Sequence, residues 1–247
     1  MDGIINLNKP LGITSAKAVY RVRAITRQRH SGHAGTLDPG ATGVLVVCLG
    51  KATKLVERVM DQPKVYRATA RLDATSESFD ADRPMTAVDV SAAPTMEEVR
   101  SACASFEGMI EQVPPRISAV KVDGVRAYKR AFRGEAMEMA PRSVRIHRIN
   151  VEHYAWPEIR FDVSCGRGMY VRALIRDLGE RLGVGGCLTS LVRRSVGPFE
   201  ERDAWSISAL SAAGGPDEYL IPIDRARQLL GQDSRQLVPA AGDHVCG

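Results

Sequence analysis

The chain has 247 residues, 44% of them hydrophobic and 26% charged, which is enough apolar matter to bury a core and too much for a disordered tail. Its longest apolar run, Val44 to Leu49, is six residues, against the roughly 20 of a membrane-spanning helix, and no basic-then-apolar leader opens it, so neither a membrane nor a secreted protein is expected. Five singly placed cysteines without a CxxC pair, histidines without HxxxH spacing and a net charge of +5 point to a reduced, cytoplasmic chain working without a metal.

In chain order, Ile4 to Asn8 reads as a strand and Lys9-Pro10-Leu11-Gly12 as a turn. Thr14 and Ser15 are N-cap candidates for a helix carrying Ala18, Val22 and Ile25 on one face. A loop rich in Gly and His follows, and residues 44–49 form a buried strand. Tyr66, Ala68, Ala70 and Leu72 alternate with Arg67, Thr69 and Arg71, the pattern of a half-buried strand. Residues 74–93 are polar and irregular. Thr95 with Glu98 makes a capping box before a helix burying Met96, Val99, Cys103 and Phe106, which Pro114-Pro115 ends. Residues 116–148 are basic, with Tyr128, Phe132 and a Gly134 turn. Phe161, Val163 and Cys165 alternate up to Gly166-Arg167-Gly168, and a helix with a Val171, Leu174, Ile175, Leu178, Leu182 stripe runs to a Gly183 stop, with Asp177 and Arg181 expected to pair on its outside. Strands and helices do not alternate regularly, so an α+β protein is expected, with a central mixed, mainly antiparallel sheet flanked by helices. One domain is expected over 1–228, with 229–247 as a short tail.

Of the 34 basic residues, 27 are arginine and 7 are lysine. Their placement says more than their number: residues 1–60 carry a net +6, residues 61–115 a net −5 and residues 116–148 a net +6. Two basic blocks around an acidic one suit a polyanion surface assembled from separate stretches.

The segment GHAGTLDPGATG at 32–43 surrounds one carboxylate, Asp38, with glycines, threonines and a proline. Glycines there permit positive φ and close backbone approach, and Pro39 stiffens the chain after Asp38; read alone, Asp-Pro-Gly is by default a plain surface turn whose carboxylate bonds its own backbone. Gly50-Lys51 fails as a phosphate loop because the glycine spacing is wrong and Ala52 stands where Ser or Thr would hold magnesium. His33, in the same loop, has general base or stacking as its options. Tyr66 reads as a core tyrosine. Tyr170 and Arg172 open a helix after a Gly-Arg-Gly turn, a place that favours an anion, while Arg172 is otherwise a solvated helix charge.

Six motifs, NKPLGITS (8–15), GHAGTLDPGATGVL (32–45), KVYRATARL (64–72), PPRISAVKVDGVRAY (114–128), CGRGMYVRALIRDLGERLG (165–183) and LVRRSVGPF (191–199), resemble the bacterial TruB tRNA pseudouridine synthases in order and in spacing, over residues 3–225. The resemblance implies the pseudouridine synthase fold and isomerisation of uridine 55 in the T-loop of tRNA. The base leaves through N1, turns, and rejoins the sugar through C5, with no cofactor. By this resemblance Asp38 is the catalytic aspartate, acting as nucleophile at C1′ or through a glycal route. Arg172 is the arginine that keeps it ionised. Tyr66 stacks on the target base and assists proton removal, Tyr170 is a second pocket tyrosine, Leu191 an apolar wall, and Lys9 with Pro10 a buttress. His33 fills the space left by the everted base. The T-arm is the expected partner of a monomeric chain, with the basic stretches 17–29 and 116–148 touching phosphates in a salt-sensitive way.

Ile117 stands where the family usually has tyrosine and Cys187 where histidine is common, and TSESFDAD at 75–82 departs from TDTxDxxG. The family's small C-terminal RNA-binding barrel is expected to be absent, and with it some tRNA affinity compared with a longer relative. An RNA chaperone using the same surface, which would not need Asp38, and a synthase acting on ribosomal or guide-directed RNA are the rival readings.

Overall fold

The computed structural model describes residues 1–118, 120–122, 124–127, 130, 133–135 and 137–231. Tyr128, Phe132 and the tail from 232 on lie outside the described residues. In chain order the strands are β1 (Gly3–Lys9), β2 (Ser31–Ala34), β3 (Ala41–Leu49), β4 (Lys64–Arg71), β5 (Ala74–Thr75), β6 (Thr86–Ala87), β7 (Gly108–Gln112), β8 (Lys121–Val122), β9 (Val125–Arg126), β10 (Arg142–Ala155), β11 (Glu158–Cys165), β12 (Cys187–Val196), β13 (Phe199–Glu200) and β14 (Ile221–Pro222). The helices are α1 (Ser15–Thr26), α2 (Val56–Met60), α3 (Met96–Ala104), α4 (Val171–Leu182), α5 (Ile207–Ala212), α6 (Pro216–Tyr219) and α7 (Ile223–Gly231). Contacts divide the chain into a first unit, Met1–Lys64 with the stretch from Arg193 on, and a second unit, Val65–Val192.

In the first unit β1 lies between β14 and β3, and β2 lies along β3, all antiparallel. The β1–β3 register runs from Gly3 opposite Leu49 to Lys9 opposite Gly43. From Val44 to Leu49 β3 is apolar without a break because both of its faces are covered. Val44, Val46 and Cys48 pack with Leu55, Val59, Ala226 and Leu230, whereas Leu45, Val47 and Leu49 pack with Ala18, Val19 and Val22 of α1. Thr14 caps α1 by accepting from Lys17 N at 3.1 Å, and Arg27, at φ 54°, ends it in the left-handed region.

The second unit is one-sided. β4, β11, β10 and β7 are neighbours in that order, with antiparallel β10–β11 and β10–β7 ladders. Ala68, Ala70, Val144, Ile146, Phe161 and Val163 form the inner face, covered by Val99 and Cys103 of α3 and by Leu174, Ile175 and Leu178 of α4. Each large aliphatic in that layer contributes roughly 1.5–3 kcal/mol by leaving water. The outer face is polar and holds the two-pronged pair of Arg67 with Asp162, at 2.8 and 2.9 Å. The Thr95–Glu98 capping box and the left-handed Gly183 stop form as expected.

Several expectations are corrected. His33 belongs to strand β2, opposite Val47, not to the loop of Asp38. β3 begins at Ala41, three residues before the expected start. β7 follows α3 ahead of Pro114, and β10 starts at Arg142 inside the basic stretch. Asp177 bonds to its neighbour Arg176 at 2.7 Å, while Arg181 lies 5.4 Å above the Phe106 ring, whose π face attracts it. Leu229 to Gly231, expected in the tail, continue α7.

Candidate active site

Residues 35–40 join β2 to β3, and their backbone is tied at three consecutive positions. The Ser15 hydroxyl, in the first turn of α1, donates to Leu37 O at 2.9 Å and accepts from Leu37 N at 2.8 Å. Ala41 N donates to Asp38 O at 3.1 Å, closing the Asp38-Pro39-Gly40-Ala41 turn with proline at the favoured second position. Gly12 N donates to Pro39 O at 2.9 Å. Leu37 is buried, whereas Asp38 is exposed. The main chain on either side of Asp38 is therefore fixed, while the residue itself is accessible to solvent.

Two buried cations belong to the same neighbourhood. Lys9, with no exposed surface, ends β1 and donates to Pro10 O at 2.9 Å and Ile13 O at 2.8 Å. Burial pulls its ammonium from the usual 10.5 to about 8; Asp38 opposes that shift and Arg193 adds to it. Arg193, 1% exposed, donates to Val44 O at 2.7 Å and Gly35 O at 3.1 Å. It thereby ties the start of the Asp38 loop to β3.

The Lys9 shift sets a pH dependence. Below about pH 8 both the folded and unfolded chains carry this proton, and the penalty for burying the charge is in force; between about 8 and 10.5 only the unfolded chain keeps it. Stability contributed through Lys9 therefore rises with pH across that window. Unfolding free energies of the wild type and Lys9→Met, measured at about pH 7.5 and about pH 9.5, are expected to shift in favour of the wild type at the higher pH. A pH-independent difference between the two would contradict the assignment.

The second unit holds the other expected site residues. Tyr66 on β4 and Leu191 on β12 are half-buried against one core. Tyr170 is the N-cap of α4, and its peptide is gripped by the Gln112 side chain, whose Oε1 accepts from Tyr170 N at 2.8 Å and whose Nε2 donates to Tyr170 O at 3.2 Å. Arg172 is not a solvated helix charge: it is 6% exposed and donates to Ser78 O at 3.2 Å and Ile117 O at 3.0 Å. Ile117 contributes its carbonyl to that pair, so isoleucine at this position does not alter the bond. Cys187 is fully buried against Ser76, and burial raises its thiol pKa.

Asp38, Lys9 and His33 thus lie in the first unit, and Tyr66, Tyr170, Arg172 and Leu191 in the second. Sequence reasoning gave no role to Gln112 or Arg193 and read Ser15 only as a helix-cap candidate, a place Thr14 takes. Each of the three acts through a backbone partner distant in the chain. Among the described residues no group of three or more His, Cys, Asp or Glu side chains could hold a metal ion, and no helix is long and apolar enough to cross a membrane.

The family model described as TruB family pseudouridylate synthase (N terminal domain) matches residues 23–171, and that of the tRNA pseudouridylate synthase B C-terminal domain matches residues 172–226. Among curated relatives, tRNA pseudouridine synthase B of Clostridium kluyveri is 39% identical over 229 residues, 92% of this chain and 78% of that protein. The enzyme of the same name from Dehalococcoides mccartyi is 41% identical over 92% of this chain and 76% of its own, and that of Thermobifida fusca is 43% identical over 85% and 75%. Among solved structures, a Cbf5-Nop10-Gar1 complex contains a chain with a TM-score of 0.73 and 28% identity, covering 92% of this chain; this chain spans 62% of that one. An H/ACA RNP bound to a substrate RNA containing 2'-deoxyuridine gives a TM-score of 0.69 at 25% identity, covering 92% of this chain and 61% of that one. Together with the mainly antiparallel sheets and their flanking helices, these matches establish the pseudouridine synthase fold, and the chain belongs to the TruB family of pseudouridylate synthases.

Proposed function

We propose that this chain isomerises uridine 55 in the T-loop of tRNA to pseudouridine, as the names of its relatives suggest, with Asp38 as the reacting carboxylate. The observation that carries this reading is Asp38 itself: its main chain is locked by Ser15, Ala41 and Gly12 while its side chain stays exposed. A carboxylate carried on so rigid a main chain is presented to a sugar carbon with little reorganisation of the loop.

The target uridine is flipped out of the T-loop stack before it reacts. The N1–C1′ bond breaks, the freed uracil turns, the C5–C1′ bond forms, and the C5 proton is released while N1 takes one up. Atoms balance with no redox change, so the reaction consumes no cofactor. Both the covalent and the glycal route need an ionised carboxylate at the sugar. In this reading Arg172 keeps Asp38 ionised once water is displaced, and Tyr66 stacks on the base and assists proton removal. Tyr170 and Leu191 wall the pocket, Lys9 supports the loop, and His33 fills the space left by the base. The basic stretches at 17–29 and 116–148 take phosphates. The chain works as a monomer in the cytoplasm.

Incubating the protein with an unmodified tRNA transcript and mapping pseudouridine nucleotide by nucleotide tests this. Modification at position 55 is expected. Modification only elsewhere, or none with folded tRNA, would overturn the assignment.

A further inference from the structure

We propose that Ser15 is a positioning residue for the reaction, holding the Asp38 carboxylate in register through the backbone of Leu37. This rests on the reading that Asp38 does the chemistry. The Ser15 side chain lies on α1, 22 positions before Leu37, and is 1% exposed. Its oxygen donates to Leu37 O at 2.9 Å and accepts from Leu37 N at 2.8 Å. A hydroxyl has one proton to give and two lone pairs, so one group satisfies both main-chain atoms of a buried residue that lies outside the β2 and β3 strands.

These two bonds fix more than Leu37. Its carbonyl belongs to the peptide that enters Asp38, and its N–H to the peptide before, so both planes preceding the carboxylate are pinned. Beyond Asp38, the Ala41 and Gly12 bonds and the proline ring pin the peptides on the other side.

Ser15 is not needed to start α1. Thr14 already caps that helix through Lys17 N. A hydroxyl buried next to an existing cap and spent wholly on the residue before Asp38 is therefore tied to the loop.

Removing it leaves both Leu37 atoms without their partner and loosens the entry to Asp38. Displacements of about 1 Å at a reacting group cost on the order of 100-fold in rate. Ser15→Ala is expected to lower kcat by about 10- to 100-fold with KM for tRNA within about twofold. Ser15→Thr, which keeps the hydroxyl, is expected to recover most of the loss. Rates are taken well below each variant's melting midpoint. If Ser15→Ala does not fold, Ser15→Cys, of similar volume with weaker bonds, is measured instead and should show the same split.

An unchanged kcat, or a rise in KM alone, in the folded variant would overturn the role. Asp38→Asn is run alongside. If it stays active, the failure lies in the reading of Asp38 and the role of Ser15 falls with it. If it is inactive and Ser15→Ala is as fast as wild type, only the Ser15 role falls.

Discussion

Gly43→Ala is expected to melt roughly 6 to 12 °C below the wild type. Gly43 has a φ of 95°, in the region that L side chains avoid, and it lies opposite Lys9 in the β1–β3 register. A Cβ placed there would sit 2.3 Å from Arg193 O, 2.9 Å from Arg193 N and 3.0 Å from Arg193 C. All three are main-chain atoms, so no side chain can swing aside. Left-handed strain in a residue with a Cβ costs about 1–3 kcal/mol, and forcing atoms into a packed core costs about the same again. A total of about 3 kcal/mol is therefore a modest expectation, and for a chain of this size each kcal/mol lowers the midpoint by roughly 2–4 °C. Relief by moving the Arg193 backbone would draw its guanidinium away from Val44 O and Gly35 O, so the Asp38 loop should loosen as well. Gly32→Ala is the matching control, because a Cβ there meets nothing within 4 Å and needs no positive φ. Thermal denaturation of the two variants checks the contrast; equal midpoints would contradict it.

The glycines of the 32–43 segment thus have separate tasks, and the sequence reveals only that the segment is unusual. The features legible in advance repeat locally: the period-2 run from Tyr66 to Leu72, the α4 stripe, the Thr95 capping box and the Gly183 stop. The hidden ones depend on long-range partners. Gly43 looks like loop and is strand because Lys9 of β1 pairs with it, the last step of the β1–β3 ladder. Val144 and Ile146 do alternate, yet the charges around them mask a strand whose outer face is solvated. Arg193 and Arg194 are adjacent and chemically identical, but strand geometry sends one into the core and leaves the other at the surface, bonded to Glu201 at 2.6 Å. Composition cannot tell them apart. The burial of Arg172 is hidden in the same way, since its acceptors, Ser78 O and Ile117 O, lie 94 and 55 positions away.

Asp38→Asn is expected to abolish turnover, by on the order of 10^4-fold or more, the scale on which enzymes lose rate when their reacting group is deleted. Main-chain atoms of Leu37, Asp38 and Pro39 make bonds that hold the turn, and Asp38→Asn leaves all of them in place. Asparagine keeps the shape, so the fold and RNA binding should survive. The loss is one of negative charge: an amide neither attacks a sugar carbon nor stabilises a cationic one. Loss of that charge also removes the influence that holds the Lys9 ammonium up against burial, so Lys9 should lose its proton at a still lower pH in the variant.

The most direct measurement uses an unmodified T-arm hairpin tritiated at uracil C5, mixed with excess protein, and counts tritium released into water. Wild-type protein should release the label from one uridine per hairpin, while Asp38→Asn, binding the hairpin equally well, should remain at background. Release by Asp38→Asn at the wild-type rate would contradict an Asp38-centred reaction.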